Sequence, residues 1–256
     1  MPNLGWSLTG NAGTNQVTNF IGTTDNVAFN IRVNNQKAGR IDPTGSAFYG
    51  YQAWNVNTAI NNTAIGNKAL LNNTTAGNNI AIGANALSTQ SYAYSGTAWN
   101  SDNVAIGYYA LFANQPTSTT NGIKNLAIGN YSLYNNTLGY YNVAVGDSTL
   151  YNNTIGISNT AIGNYSLLSN TTGSNNTANG VNALYSNTNG YYNTANGYNA
   201  LYSNTTGNYN TANGYNSLLH NTTGSNNTAI GVNALYSNTN GYYNTCLLYT
   251  SDAADE

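Results

Sequence analysis

The chain has 256 residues, of which only 5% are charged, whereas an ordinary globular domain carries roughly 25%. Asparagine supplies the polarity, with 53 copies beside 27 Gly and 23 Tyr. The single histidine, His220, excludes any site that needs two histidines from one chain. Five Lys and Arg residues exclude a basic nucleic-acid surface, and no run approaches the ~20 apolar residues of a membrane span.

The first 46 residues form an N-terminal β module that precedes the repeat. Residues 27–33 and 38–41 are strand-like, and residues 34–37 connect them, which predicts a β-hairpin. The segment Asp-Pro-Thr-Gly at 42–45 predicts a turn that closes the module. We interpret this module as a cap on the first coil of the repeat.

A repeat occupies residues 47–245 and is visible when the glycines of the Thr-Ala-Ile-Gly string are aligned. Their spacings are 17, 24, 22 and then 17 six times, so the period is 17. An imperfect copy at 47–54 predicts the first coil. The ten aligned glycines are Gly66, Gly83, Gly107, Gly129, Gly146, Gly163, Gly180, Gly197, Gly214 and Gly231.

Each repeat predicts one coil of a β-solenoid. The string Asn-Val/Thr-Ala-Ile before each glycine is a short strand, residues such as 182–185 are predicted as a second strand, and turns such as 203–207 join them. We expect an all-β parallel β-roll of about eleven coils, with copies of Asn or Thr hydrogen-bonded along the stack. The predicted core column is Leu70, Leu87, Leu111, Leu133, Leu150, Leu167, Leu184, Leu201, Leu218 and Leu235.

The repeat resembles a known family through the strings at 103–107, 142–146 and 159–163. They are similar to the head repeats of YadA-type trimeric autotransporter adhesins, and to repeat arrays of bacterial and phage tail-fibre proteins. The resemblance implies a left-handed parallel β-roll in a homotrimer that projects from a cell or virion. The unit here is longer than that of the family. The N-terminal module, with Trp6 and Phe20, resembles the short β module that precedes such repeats.

The period breaks after Thr245, where Cys246 and the ten residues that follow do not match the repeat. The stretch 246–256 resembles a translated transposase adapter from sequencing libraries, so we expect it to be foreign to the natural protein. Its removal leaves five basic and four acidic side chains and no cysteine.

Three groups of residues are candidate sites. The two irregular spacings predict loops at 88–101 and 114–124 that bulge at a corner, and Tyr92, Tyr94 and Trp99 in the first are the predicted ligand contacts. Asn179, Asn196 and Asn213 replace Ile in three successive coils. They predict either an amide ladder, which would form rings about a trimer axis, or a solvent-facing column. A tyrosine column predicts contacts between chains or a sugar-stacking surface: Tyr134, Tyr151, Tyr185, Tyr202 and Tyr236.

The preferred function is a non-enzymatic, homotrimeric surface fibre or adhesin, attached to the bacterial outer membrane, that binds host cells through surface glycans or proteins. The alternative is a phage tail-fibre or tailspike segment that hydrolyses glycans. Asp102 and Asp147 are single acids on different coils, which weakens that alternative. Ice binding is a third hypothesis, disfavoured because the Thr columns are expected to adjoin Gly corners and Tyr. We expect no catalytic residue, metal or cofactor.

Overall fold

The structure is a computed structural model that describes residue 12 and the ranges 21–54 and 59–248. The expected contributions of Trp6 and Phe20 lie outside these residues. Within them the chain is all-β, without a helix. A search of the same residues accordingly finds no helix of the length and hydropathy that crossing a membrane requires.

Sixteen strands are present in the described residues, and fourteen of them form one sheet. Strands β1 to β3 pair antiparallel, and from β3 onward every pairing in the large sheet is parallel. Strands β5 and β7 form a separate parallel pair. The bounds are β1 Phe29–Val33, β2 Gln36–Ile41, β3 Ala47–Tyr49, β4 Thr63–Ile65, β5 Ala76–Gly77, β6 Ile80–Ile82, β7 Trp99–Asn100, β8 Val104–Ile106, β9 Leu126–Ile128, β10 Val143–Val145, β11 Thr160–Ile162, β12 Thr177–Asn179, β13 Thr194–Asn196, β14 Thr211–Asn213, β15 Thr228–Ile230 and β16 Thr245–Leu247.

The parallel strands confirm the β-solenoid, with one strand for each coil of about 17 residues. Equivalent residues pair directly, as in Thr177 with Thr194 and Asn179 with Asn196. Neighbouring coils therefore stack at about 4.8 Å. The coils number about twelve rather than eleven, because β16 continues through Cys246 and Leu247 and pairs with β15.

The N-terminal hairpin is confirmed, with a shorter turn than predicted. Asn34 and Asn35 have φ angles of 47° and 56° and alone connect β1 to β2, as a two-residue hairpin turn requires. Beyond it, Phe48 and Trp54 fill the positions that Ala and Leu hold in later coils. Their rings lie 3.5 Å apart, and the Arg40 guanidinium lies 5.5 Å from the Trp54 ring. These large side chains cover the first end of the core.

The core is a narrow double column of Ala and Leu that runs the length of the rod. The nine leucines of the predicted column from Leu70 to Leu218 are fully buried, and Leu235 in the last complete coil is half-buried. The predicted Leu column is therefore confirmed. The strand contributes only Ala to this core, so the coil is thin.

The second predicted strand is wrong, because residues 182–185 form consecutive turns. Asn182 and Leu184 take left-handed φ angles of 58° and 52°. The N–H of Leu184 donates to Ala200 O in the next coil at 3.0 Å, whereas the N–H of Ala183 closes a turn onto Gly180 O at 3.2 Å. The N–H groups of alternate residues thus bond either to the next coil or within their own coil. The backbone hydrogen bonds are therefore made without a strand.

The glycine before this turn segment is required by both conformation and space. Gly197 has φ +134°, and a Cβ there would lie 2.6 Å from Gly214 O of the next coil. The bend that reverses the chain between strand and turns therefore needs glycine.

Candidate functional site

A buried ladder of asparagines precedes the strands. Asn193 Oδ1 accepts hydrogen bonds from the backbone N–H and Nδ2 of Asn210, at 3.0 and 3.1 Å. Its own Nδ2 donates to Asn176 Oδ1 and to Gly207 O. We call this column the strand ladder. Its members are Asn62, Asn79, Asn103, Asn125, Asn142, Asn159, Asn176, Asn193, Asn210, Asn227 and Asn244.

A second amide column, the corner ladder, follows the turn segment. Asn187 Nδ2 donates to Asn170 Oδ1 at 2.8 Å and to Gly190 O at 3.1 Å. The ladder persists at the first insertion because Gln90 takes the Asn position and bonds Asn73 and Asn114. The two ladders satisfy the polar groups of the corners, which explains how so thin a core encloses so many amides. Its members are Asn73, Gln90, Asn114, Asn136, Asn153, Asn170, Asn187, Asn204, Asn221 and Asn238.

Asn179, Asn196 and Asn213 belong to neither ladder. They lie at the ends of β12, β13 and β14 with side chains on the outside of the sheet, exposed or half-exposed. No side-chain hydrogen bond of these three amides occurs among the described residues. The ladders inside the chain are thus built by other asparagines, and rings about a trimer axis stay a prediction.

We call the outward side of the large sheet the outer sheet face. It carries two side-chain columns, because the first and third residues of each strand point out and the middle Ala points in. Between β6 and β10 both columns are apolar, whereas from β11 onward the first column is Thr in every strand. The apolar part comprises Ile80, Ile82, Val104, Ile106, Leu126, Ile128, Val143 and Val145.

Threonines of two kinds occur in the repeat. At the corners, Thr154 Oγ1 donates to Thr171 O at 3.0 Å and Thr188 Oγ1 donates to Thr205 O at 3.1 Å. On the outer sheet face the hydroxyls of β11 to β15 make no hydrogen bond among the described residues. This column lies on the open sheet, although Thr194 and Thr211 each follow an exposed tyrosine by two residues and precede a corner glycine by three.

The tyrosine column lies on the opposite side of the core, outside the turn segment. Its rings stack on one another, with Tyr134 and Tyr151 5.1 Å apart and Tyr185 and Tyr202 4.9 Å apart. Burial, and then the neighbouring phenols, raise the pKa of Tyr134 above its ordinary value. With the Leu and Phe in equivalent positions these residues form a row that is interrupted at Ser88, the aromatic stripe. It comprises Leu71, Phe112, Tyr134, Tyr151, Leu168, Tyr185, Tyr202, Leu219 and Tyr236.

The stacking restricts what the aromatic stripe can bind. Tyr134 has its two faces against the rings of Phe112 and Tyr151, so its edge points outward. Tyr185 and Tyr202 cover one face of each other. Sugar rings bind aromatic side chains through the ring face. The interior rings of the stripe are therefore better suited to packing edge-on against another apolar surface than to sugar stacking.

The predicted ligand loop separates into a buried and an exposed part. Trp99 lies in β7, buried against Ala76 and Ile123, and Tyr92 packs on it at a ring distance of 5.7 Å. Tyr94 is 49% exposed. The exposed bulge is residues 93–98, while Gln90 and Ser101 bond to each other in the stack. Both insertions open at the same corner as predicted, but only Tyr94 of the three candidates is free to contact a ligand.

The titratable groups are dispersed. Asp102 accepts from Asn78 Nδ2 at 3.0 Å, Asp147 accepts from Ser148, and His220 packs edge-on against Tyr236 at 4.9 Å. His220 is exposed in the column that holds Ser in neighbouring coils. In the part of the chain that the structure describes, no three His, Cys, Asp or Glu side chains cluster as metal ligands would.

Two carboxylates share one surface hollow of about 310 Å³ at the N-terminal module, those of Asp25 and Asp42. Burial raises the pKa of Asp42, but hydrogen bonds from Thr44 and the Arg40 charge outweigh it, so the pKa lies below its ordinary value. Asp42 also pairs with Arg40. An ionised, paired carboxylate cannot donate a proton, so Asp42 fixes the turn before β3 rather than serving as a general acid.

Comparison with protein families, with curated proteins and with solved structures finds no match to the chain. A function must therefore be argued from the outer sheet face, the aromatic stripe and the exposed bulge at residues 93–98.

Proposed function

We propose that the chain is a segment of a non-enzymatic surface fibre that assembles as a homotrimer and attaches to host cells. The observation that carries the proposal is the aromatic stripe, which runs from Leu71 to Tyr236 with one large apolar side chain in nine of ten coils. A contact between rods must extend along the rod, because each coil buries little on its own. The stripe is the surface that offers such a contact in nearly every coil.

The composition of the stripe fits an interface between chains. Tyr and Phe are enriched where protein surfaces meet, since they bury a large area and lose few rotamers. The side chains of Tyr134, Tyr151, Tyr185 and Tyr202 are half-buried in the single chain and held in stacks. Their ordering is thus largely complete before association, which lowers its entropic cost.

The resemblance to YadA-type head repeats and to tail-fibre arrays supports a trimer as the assembly. On this proposal the fibre stands on the bacterial outer membrane or on a virion, with its length set by the number of coils. Host glycans or proteins would contact the corner bulge at 93–98, where Tyr94 is exposed. No residue of the chain is assigned a catalytic role.

The first experiment measures the mass of the full chain in solution by light scattering. We expect the mass of three chains, and a shift toward one chain when Tyr134 and Tyr151 are both replaced by Ser. The control is Tyr192→Ser with Tyr209→Ser, a stacked pair 5.2 Å apart outside the stripe. A monomer at every concentration, or equal effects of both double variants, would contradict the interface.

The second experiment incubates the chain with a library of glycans and surface proteins. Binding without turnover supports an attachment fibre, whereas hydrolysis of any glycan overturns the non-enzymatic claim. Tyr94→Ala should weaken binding, while Tyr209→Ala, in a coil that carries no insertion and also exposed, should not. Unchanged binding by Tyr94→Ala would remove the bulge as the contact.

A further inference from the structure

The polar part of the outer sheet face is a regular array of hydroxyl and amide groups. Six successive strands, β11 to β16, begin with Thr, and β12 to β14 end with Asn. The strand pairings place each Thr beside the next Thr and each Asn beside the next Asn. The groups therefore repeat at about 4.8 Å along the rod and about 6.6 Å across it, two residues of a strand apart.

These groups are free, although equivalent groups elsewhere in the same coils are bonded. The hydroxyls of Thr171, Thr188 and Thr205 at the corner donate to carbonyls of the next coil. Those of Thr177, Thr194 and Thr211 make no hydrogen bond among the described residues, and neither do the amides beside them. The fold has thus placed one Thr column and one Asn column at the surface, where they are open to an outside partner.

The partner must be uncharged, because residues 148–245 contain no Asp, Glu, Lys or Arg. A charged ligand would find no complementary charge along this half of the rod. The partner must also repeat at the spacing of the coils if several coils are to bind it at once. In addition it must be flat, since ladders of identical residues favour an untwisted sheet.

We propose that the Thr column of β11 to β15, together with the Asn column of β12 to β14, forms an ice-binding face. The surface of an ice crystal is uncharged and flat, and its oxygen atoms repeat at spacings close to those of the two columns. Each Thr offers a methyl group and a hydroxyl, and each Asn offers a donor and an acceptor. An uncharged polysaccharide also repeats, but neither outward column of β11 to β15 contains an aromatic ring on which sugars stack.

This function goes beyond attachment and uses the opposite side of the rod from the aromatic stripe. Its success or failure is therefore independent of the proposed trimer contact. The two could operate together, since packing through the stripe leaves the outer sheet face uncovered.

The test measures inhibition of ice recrystallisation, and incorporation into a growing ice crystal, by the full chain. Thr194→Tyr places a bulky ring at the centre of the array and should abolish both. Asn226→Tyr is the matched control, since it adds the same ring in a column that holds Tyr209 and Tyr243 in the neighbouring coils. Circular dichroism of both variants establishes that the coils are intact.

The expected result is activity in the original chain and in Asn226→Tyr, and loss in a folded Thr194→Tyr. Exclusion of the original chain from ice would overturn the proposal, as would full activity of Thr194→Tyr. If Thr194→Tyr does not fold, it is replaced by Thr194→Val, which keeps the shape of the side chain and removes the hydroxyl. Undiminished activity of a chain that carries both Thr194→Val and Asn196→Ala would overturn the proposal. Binding to an uncharged polysaccharide without ice activity would assign the face to that ligand and also overturn it.

Discussion

Asn193 precedes β13 and Asn196 ends it, and the amides of these two residues of one coil have opposite roles. The Asn193 side chain is fully buried and bonds to two neighbouring coils. The Asn196 side chain points outward and bonds to none of the described residues. The difference shows that the repeat uses one residue type both as internal scaffold and as external surface.

The inner amides replace the hydrophobic core that so short a coil cannot hold. An amide in register with its own copy satisfies donor and acceptor without breaking the repeat. The outer amides contribute no such bonds, so the rod does not depend on them. Stability should therefore be sensitive to the inner column and insensitive to the outer one.

The largest expected effect is that of Asn193→Ala. It removes the four hydrogen bonds of the side chain and leaves the buried backbone N–H of Asn210 without a partner. A hydrogen bond contributes about 0.5 to 1.5 kcal/mol net, so we expect a loss of roughly 2 to 6 kcal/mol in the free energy of unfolding. Urea denaturation of the full chain measures it, and a loss below about 1 kcal/mol would show that water replaces the amide.

Leu184→Ala should cost slightly less and provides the apolar reference for the same coil. The side chain is fully buried in the Ala and Leu column, and removal of a buried Leu side chain costs about 2 to 5 kcal/mol. The same denaturation series compares it with Asn193→Ala. A near-zero effect of Leu184→Ala would mean that the ladders alone hold the coil.

Asn196→Ala is the matched partner of Asn193→Ala and has the smallest expected effect. Because its amide is unbonded and outward, the free energy of unfolding should change by less than about 0.5 kcal/mol. A loss as large as that of Asn193→Ala would show that the outer column also holds the coils together, and the distinction between the columns would fail.

The sequence was sufficient for the period, the parallel strands and the Leu core, because Gly180 and Leu184 recur in fixed register with their copies. It also marked the corners where insertions open. The turn segment was missed because Leu rarely adopts a left-handed backbone, so the pattern at 182–185 resembled a strand. Only the hydrogen bond of Leu184 to Ala200 explains the conformation.

Hydrophobicity alone did not predict which side of each strand faces the core. The small Ala of each Thr-Ala-Ile string faces inward and the larger Ile outward, as Ala161 and Ile162 show, since the thin coil has room only for Ala. A signal for the ladders was nevertheless present. Asn occurs before every strand from β4 onward in the large sheet, whereas the outer column is Asn in β12 to β14 and an aliphatic residue in the other strands.

The measurement that tests the fibre most directly is the rate at which each tyrosine is nitrated in the intact chain at high and low concentration. If the aromatic stripe joins chains, Tyr134, Tyr151, Tyr185 and Tyr202 should react slowly at high concentration and faster on dilution. Tyr192 and Tyr209, outside the stripe, should react at the same rate in both. Equal and unchanging rates for the two sets would contradict an interface through the stripe, and with it the proposed fibre.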